Sequence, residues 1–236
     1  MTVPCSAVGK TVAEQTAFLF DMDGTLADTM PFHLQAWMDL LGELGIRMAP
    51  QEFLRKTSGK MNHQILRDVL GMARCDAELA RLEARKESRF RALCGAHLRP
   101  IAGLADFLAE SRRLKVSLAV ATAAGQENRE FVLGGLGIAC DFRIVVGAED
   151  VRYGKPDPEI FLKAADALHV DPSRCVVFED AISGIEAAGR AGMMAVALTT
   201  SLDAREFQGH SAVIYIAKDY TLLRPQTLME AVKHGK

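Results

Sequence analysis

Short apolar runs alternate with stretches of helical period along most of this chain, and that alternation narrows the fold sharply. Residues 17–20, 116–121, 143–146, 175–178, 195–198 and 213–216 read as buried strands. Residues 101–113, 127–136, 158–168, 181–191 and 225–233 read as helices, with Asp157 as a cap and Pro158 in a first turn. Strands separated by helices predict a parallel sheet covered on both faces.

One stretch breaks the rule. After the first strand, residues 29–98 show helical periods only. Met30, Leu34, Trp37, Leu41 and Leu44 share one face, with Thr29 as the expected cap, Pro31 in the first turn and Gly45 as the stop. Two short helices follow, split at Thr57-Ser58-Gly59-Lys60, which is either a plain turn or a loop offering backbone N–H groups to a ligand. Asp76 is the expected cap of a long helix running to about Leu93. Its apolar stripe of Leu79, Leu82, Phe90 and Leu93 contains Lys86, which either snorkels to water or points at an anion. The expected fold is α/β, a doubly wound parallel sheet with an inserted small α-helical cap. Residues 1–15 are expected to be a loose tail, 16–28 and 99–236 the core, and 29–98 the cap.

Composition removes several function classes. The 236 residues carry a net charge of −2 without a basic block, so no nucleic-acid partner is expected. No apolar run reaches the length of a membrane span. Cys5, Cys75, Cys94, Cys140 and Cys175 are odd in number and scattered, which favours free thiols in a reducing cytoplasm.

The strand ends carry the chemistry. The first run stops at Asp21-Met22-Asp23-Gly24-Thr25. Its two-residue period sends Asp21 and Asp23 roughly the same way, and carboxylates that close repel unless a proton or a cation intervenes. Hard cations take oxygen ligands, which makes Mg²⁺ the natural guest. Gly24 permits a sharp turn with amides facing an anion. An Asp-Gly hairpin is the competing reading, disfavoured because a helical pattern follows rather than a strand. Further strands end at Thr122 and at Glu179-Asp180, and Lys155 stands in Gly154-Lys155-Pro156. Singly, Lys155 reads as an exposed charge and Glu179-Asp180 as acids at a helix N-terminus. Together these groups hold a phosphate beside a nucleophile.

With these motifs in this order, the chain resembles the haloacid dehalogenase superfamily from Phe18 to about Lys233, in the helical-cap branch of β-phosphoglucomutase-like proteins and sugar phosphatases. The resemblance implies that Asp21 attacks phosphorus and that Asp23 serves as acid and base. It implies Mg²⁺ held by Asp21, the Asp23 carbonyl and Asp180, with Glu179 ligating or orienting. It implies phosphate contacts from Asp23, Gly24, Thr122, Ala123 and Lys155. Thr29, His33, Trp37 and Lys86 match cap–core positions, and Gly59 matches the cap's specificity loop. The mutases carry an arginine where this chain has Asn62, and an amide does not replace a bidentate clamp. Lys60 could compensate from another direction. The expectation is a phosphatase acting on a small phosphorylated metabolite, a sugar phosphate or similar monoester, as a monomer. A phosphomutase and an inactive binding relative are the alternatives.

Overall fold

The computed structural model of the chain describes residues 15–57, 60–73 and 75–234. Among them, one sheet contains β1 (Ala17–Phe20), β2 (Ser117–Ala121), β3 (Ile144–Val146), β4 (Cys175–Glu179), β5 (Met194–Leu198) and β6 (Val213–Ala217). Every neighbouring pair is parallel, in the order β3-β2-β1-β4-β5-β6. The helices are α1 (Met30–Glu43), α2 (Pro50–Thr57), α3 (Asn62–Gln64), α4 (Asp76–Cys94), α5 (Leu104–Arg113), α6 (Gln126–Gly135), α7 (Glu159–Leu168), α8 (Ile182–Arg190) and α9 (Pro225–His234). A π-turn, Ile65–Val69, extends α3.

Strand alternation divides the side chains by size. Phe18, Phe20, Val120, Val176, Phe178 and Val196 face α5, α6 and α9. Ala17, Leu19, Ala119, Ala121, Ala195 and Ala197 face α7 and α8. The aromatic face is stapled by the Phe20–Phe178 stack, with centroids 4.5 Å apart. Both faces of β1, β2 and β4 are fully buried, as covered parallel strands require. Progress from β1 goes outward to β2 and β3 on one side, then outward from β4 to β6 on the other. The reversal lies between β1 and β4, where open parallel sheets gather ligands at the carboxyl ends.

Helices α1–α4 form a pack inserted between β1 and β2. Trp37, Leu40, Leu41, Phe53, Leu66, Leu79 and Leu82 give it an apolar core of its own. Phe90 and Cys94 continue that core toward Phe131 of α6. The insert's two connections run side by side. The Asp28 amide donates to the Arg99 carbonyl at 3.1 Å and the Ile101 amide to the Leu26 carbonyl at 3.0 Å.

Several local expectations need correction. The helix expected from residue 101 begins at Leu104, because Gly103 takes φ +78 as its N-cap. Cys75, not Asp76, is the N-cap of α4, and Asp76 pairs instead with Arg67. Pro158 is the N-cap of α7, while Asp157 accepts the Glu159 amide at 2.9 Å. Thr29 stands at the N-cap of α1, but its hydroxyl makes no capping bond. Gly59, Cys5 and residues 1–14 of the expected tail lie outside the described residues.

Candidate active site

The reversal point brings the polar strand ends into one cleft of about 120 Å³ between sheet and insert. Register fixes the neighbours. Phe20 lies opposite Phe178, so Asp21 and Glu179 follow on adjacent strands, and the Asp21 amide continues the ladder to the Phe178 carbonyl at 3.0 Å. The loop before α7 delivers Lys155, whose peptide to Pro156 is cis. Lys155 is no exposed charge: it is buried, with Nζ 2.6 Å from Asp21 Oδ1, 2.5 Å from Glu179 Oε1 and 3.2 Å from the Ala121 carbonyl.

The carboxylates differ in what holds them. Glu179 accepts Lys155 on one oxygen and the Asp180 and Ala181 amides, at 3.0 and 3.1 Å, on the other. Gly184 makes room for it, since a Cβ there would sit 1.9 Å from Glu179 Oε1. Asp180 accepts the Ser201 hydroxyl. Gly24, at φ +76, lets Asp180 approach, because a Cβ on it would lie 2.0 Å from Asp180 Oδ2. The Thr200 hydroxyl donates to the Gly24 carbonyl.

Asp21, Glu179 and Asp180 each offer an oxygen within 4.8 Å of the others'. Three carboxylates against one ammonium leave a surplus of buried negative charge. Burial, with repulsion from Glu179 and Asp23, outweighs the Lys155 charge and lifts the Asp21 carboxyl to about 7. Burial and the neighbouring Glu179 and Asp21 push Asp180 well up also. An all-oxygen donor set under mutual repulsion fits a hard divalent cation.

Asp23 faces the other way, toward α1. Its Oδ1 accepts the Thr29 hydroxyl at 2.6 Å, which is where the expected capping group is spent. His33 Nε2 approaches the same oxygen to 3.1 Å without hydrogen-bond alignment. Burial favours the neutral acid, but the His33, Thr29 and Lys86 contacts prevail and lower the Asp23 pKa. Lys86 Nζ lies 2.7 Å from His33 Nδ1. The imidazole thus stands between the Lys86 ammonium and the Asp23 carboxylate. His33 itself stacks on Phe90, with centroids 3.6 Å apart.

Lys86 does not snorkel. It is 3 % exposed, lies 5.4 Å from the Trp37 ring centroid, and pairs with Glu87 at 2.9 Å. Burial lowers its pKa more than Glu87 and Asp23 raise it. Thr122, also buried, accepts the Ala124 amide at 3.2 Å, and Ala123 lines the cleft beside it. Asn62 donates to Glu87 at 2.6 Å, and Lys60 lies exposed at the rim. Trp37 closes the wall against Phe53.

Glu87, Asn128, Thr200 and Ser201 escaped the sequence reading. The polar run Thr199-Thr200-Ser201 at the end of β5 carried a usable signal, since it stands where the other strand ends turn polar. Glu87 and Asn128 carried none, because each is an ordinary polar helical residue until the fold sets them 2.6 Å apart.

Comparison with known proteins fits this geometry. The family model described as haloacid dehalogenase-like hydrolase matches residues 18–198. A chloroplastic 5-amino-6-(5-phospho-D-ribitylamino)uracil phosphatase of Arabidopsis thaliana is 34 % identical over 183 residues, which is 77 % of this chain. The match spans 49 % of that protein, about half its length. A fructose-1-phosphate phosphatase of Escherichia coli is 35 % identical over 178 residues, covering 75 % of this chain and 93 % of that one. A crystal structure of β-phosphoglucomutase from Clostridium difficile superposes with a TM-score of 0.82 at 25 % identity, covering 94 % and 98 % of the two chains. The matched range contains the strand-end carboxylates, the buried lysine and the helical insert, and the chain belongs to the haloacid dehalogenase-like hydrolases.

Proposed function

We propose that this chain is a Mg²⁺-dependent phosphatase that hydrolyses a small sugar phosphate or similar monoester through an aspartyl phosphate. The observation that carries it is Asp21 at the end of β1, gripped by a buried lysine and adjoining two further carboxylates. Asp21, Glu179 and Asp180 would hold Mg²⁺ together with the Asp23 carbonyl; the ion supplies charge neutralisation and lowers the pKa of the carboxylate it touches.

The remaining steps belong to this chain's own groups. Asp21 Oδ attacks phosphorus as the alcohol leaves. Thr122 and the Ala123 amide take phosphoryl oxygens, and Lys155 offsets their charge; the Gly24 amide is spent on the Ala27 carbonyl at 2.8 Å. Asp23 donates a proton to the leaving alcohol and later removes one from the attacking water. Thr29 and His33 lower the Asp23 pKa and favour its carboxylate form. An arriving phosphate repels that carboxylate and raises its pKa, which supplies the acid form. Residues 29–98 act as a cap over a core of 16–28 and 99–236. Four free cysteines among the described residues favour a cytoplasmic setting.

The phosphomutase reading draws on the Clostridium difficile neighbour. Asn62 weighs against it, because its amide is spent on Glu87 and it brings no cation to grip a second phosphate. The test is phosphate release from sugar phosphates with Mg²⁺, with EDTA, and in Asp21→Asn, alongside coupled detection of glucose 6-phosphate formed from β-glucose 1-phosphate. Release should need Mg²⁺ and fall by about 10³-fold or more in the variant. Isomerisation faster than release would replace the phosphatase by the mutase.

A further inference from the structure

The insert's side of the cleft has its own chemistry, centred on Glu87. The carboxylate accepts Asn62 Nδ2 at 2.6 Å and Lys86 Nζ at 2.9 Å on Oε1, and Asn128 Nδ2 at 2.6 Å on Oε2. Asn128 is itself pinned, since its Oδ1 accepts Arg91 Nη1 at 2.7 Å. The Asn128 amide therefore cannot rotate away, and Glu87 is contacted from α3, α4 and α6 together. Burial alone would raise its pKa, but Lys86, His33 and Asn62 bring it below the usual range, so it stays an anion.

An ionised carboxylate has about four acceptor positions. Three are occupied by protein donors, two on Oε1 and one on Oε2. The remaining position on Oε2 lies on a residue that lines the cleft, opposite the phosphate-binding strand ends. It can take an O–H donor. It cannot take a phosphate oxygen, which would bring anion against anion. The neighbouring cation is no help to a second phosphate, because Lys86 is already matched by Glu87 and its Nζ points into His33. Lys60 is exposed, so its charge is solvated and weak at a distance.

We propose that Glu87 is a specificity-determining residue, which accepts a hydroxyl of the substrate's organic part and turns away a second phosphate. The substrate class is then a hydroxyl-bearing monophosphate, a polyol or sugar, rather than a bisphosphate or a simple alkyl phosphate. This rests on the phosphatase reading above.

The test compares wild type and Glu87→Gln on two matched pairs: fructose 1-phosphate against fructose 1,6-bisphosphate, and glycerol 1-phosphate against propyl phosphate. kcat/KM is measured with Mg²⁺, and calorimetric affinities are measured in the Asp21→Asn background. Wild type should prefer the first member of each pair by about tenfold or more. Glu87→Gln should cut both preferences by about tenfold, chiefly through KM and calorimetric affinity. A wild type that binds the bisphosphate or the propyl ester as well as its partner overturns the proposal, and so does a folded variant with both preferences intact. Should the variant fail to fold, the wild-type pairs alone decide. Absence of Mg²⁺-dependent phosphate release from every probe, p-nitrophenyl phosphate included, would sink the phosphatase reading instead; the binding preferences would still be read by calorimetry.

Discussion

Asp21 and Asp23 are two residues apart, yet the fold moves their pKa values in opposite directions. Asp21 rises to about 7 and Asp23 is lowered. The first shift has a consequence for stability. An unfolded aspartate ionises near 3.8, so between 3.8 and about 7 the folded chain keeps a proton that the unfolded chain has released. The stability tied to that proton is full at low pH and is lost as pH rises through about 7. Asp180 adds a loss of the same sign. Melting curves in EDTA should show Asp21→Asn gaining on wild type as pH goes from 5 to 8, and Mg²⁺ should raise the wild-type Tm more at pH 8 than at pH 5. Parallel curves would mean that the carboxylate cluster is not strained by its own charge. At this scale the sequence was informative about Asp21, Asp23, Glu179 and Asp180, because strand ends cut short by acids are a local pattern, whereas Lys155 taken singly read as an exposed charge. It was silent on Glu87 and Asn128, whose pairing spans two helices distant in the chain.

Elements meet at a few points where backbone touches backbone. One is Gly103, which starts α5 at φ +78. A Cβ there would fall 2.6 Å from the Thr221 amide nitrogen and 2.8 Å from the Tyr220 carbonyl carbon. Neither is the free end of a side chain, so neither can swing aside. The Tyr220 amide also donates to the Ala102 carbonyl at 2.9 Å, which ties α5 to the segment before α9. Gly103→Ala should therefore cost about 1–3 kcal/mol in chemical unfolding. Activity per folded molecule should hold, because the site is built on β1, β2 and β4. This contact also explains why the helix starts three residues later than its apolar pattern suggested. Periodicity sees Ile101 as a helical position; the chain there is still crossing from the insert and donating to Leu26.

The whole molecule works as two apolar packs sharing a polar cleft. Lys86 spans that division, since it is rooted in α4 and reaches Asp23 through His33. Lys86→Met would keep the stem's bulk but leave Glu87 with only its two amides and remove the Lys86 contact to His33 Nδ1. We expect a stability loss of about 1–3 kcal/mol, as when a buried pair loses one partner. We also expect kcat/KM for a sugar phosphate to drop about tenfold or more, with a smaller drop for p-nitrophenyl phosphate, whose leaving group needs less protonation by Asp23. Equal losses on both would place Lys86 in phosphoryl binding itself. The division into sheet and insert was legible from the change of period after Asp28. The closeness of the insert's two connections was not, because only tertiary pairing reveals it.

Those connections leave the sheet and return to it at one place. Asp28 and Arg99 are joined by a main-chain hydrogen bond and an ion pair at 2.7 Å, and Ala27 bridges Pro100 beside them. The core's chain ends are therefore already within reach of a tight turn, however long the excursion between them. Lengthening such an excursion costs only a slowly growing entropy of closure. To β1 and β2, the size and content of what lies between them are free variables. A different helical module, or none, could be spliced at residues 28 and 99 without sliding one strand against the other. The strand order and the carboxylate cluster of β1 and β4 can thus stay constant while the insert, with its Thr29 and His33 contacts to Asp23, is exchanged.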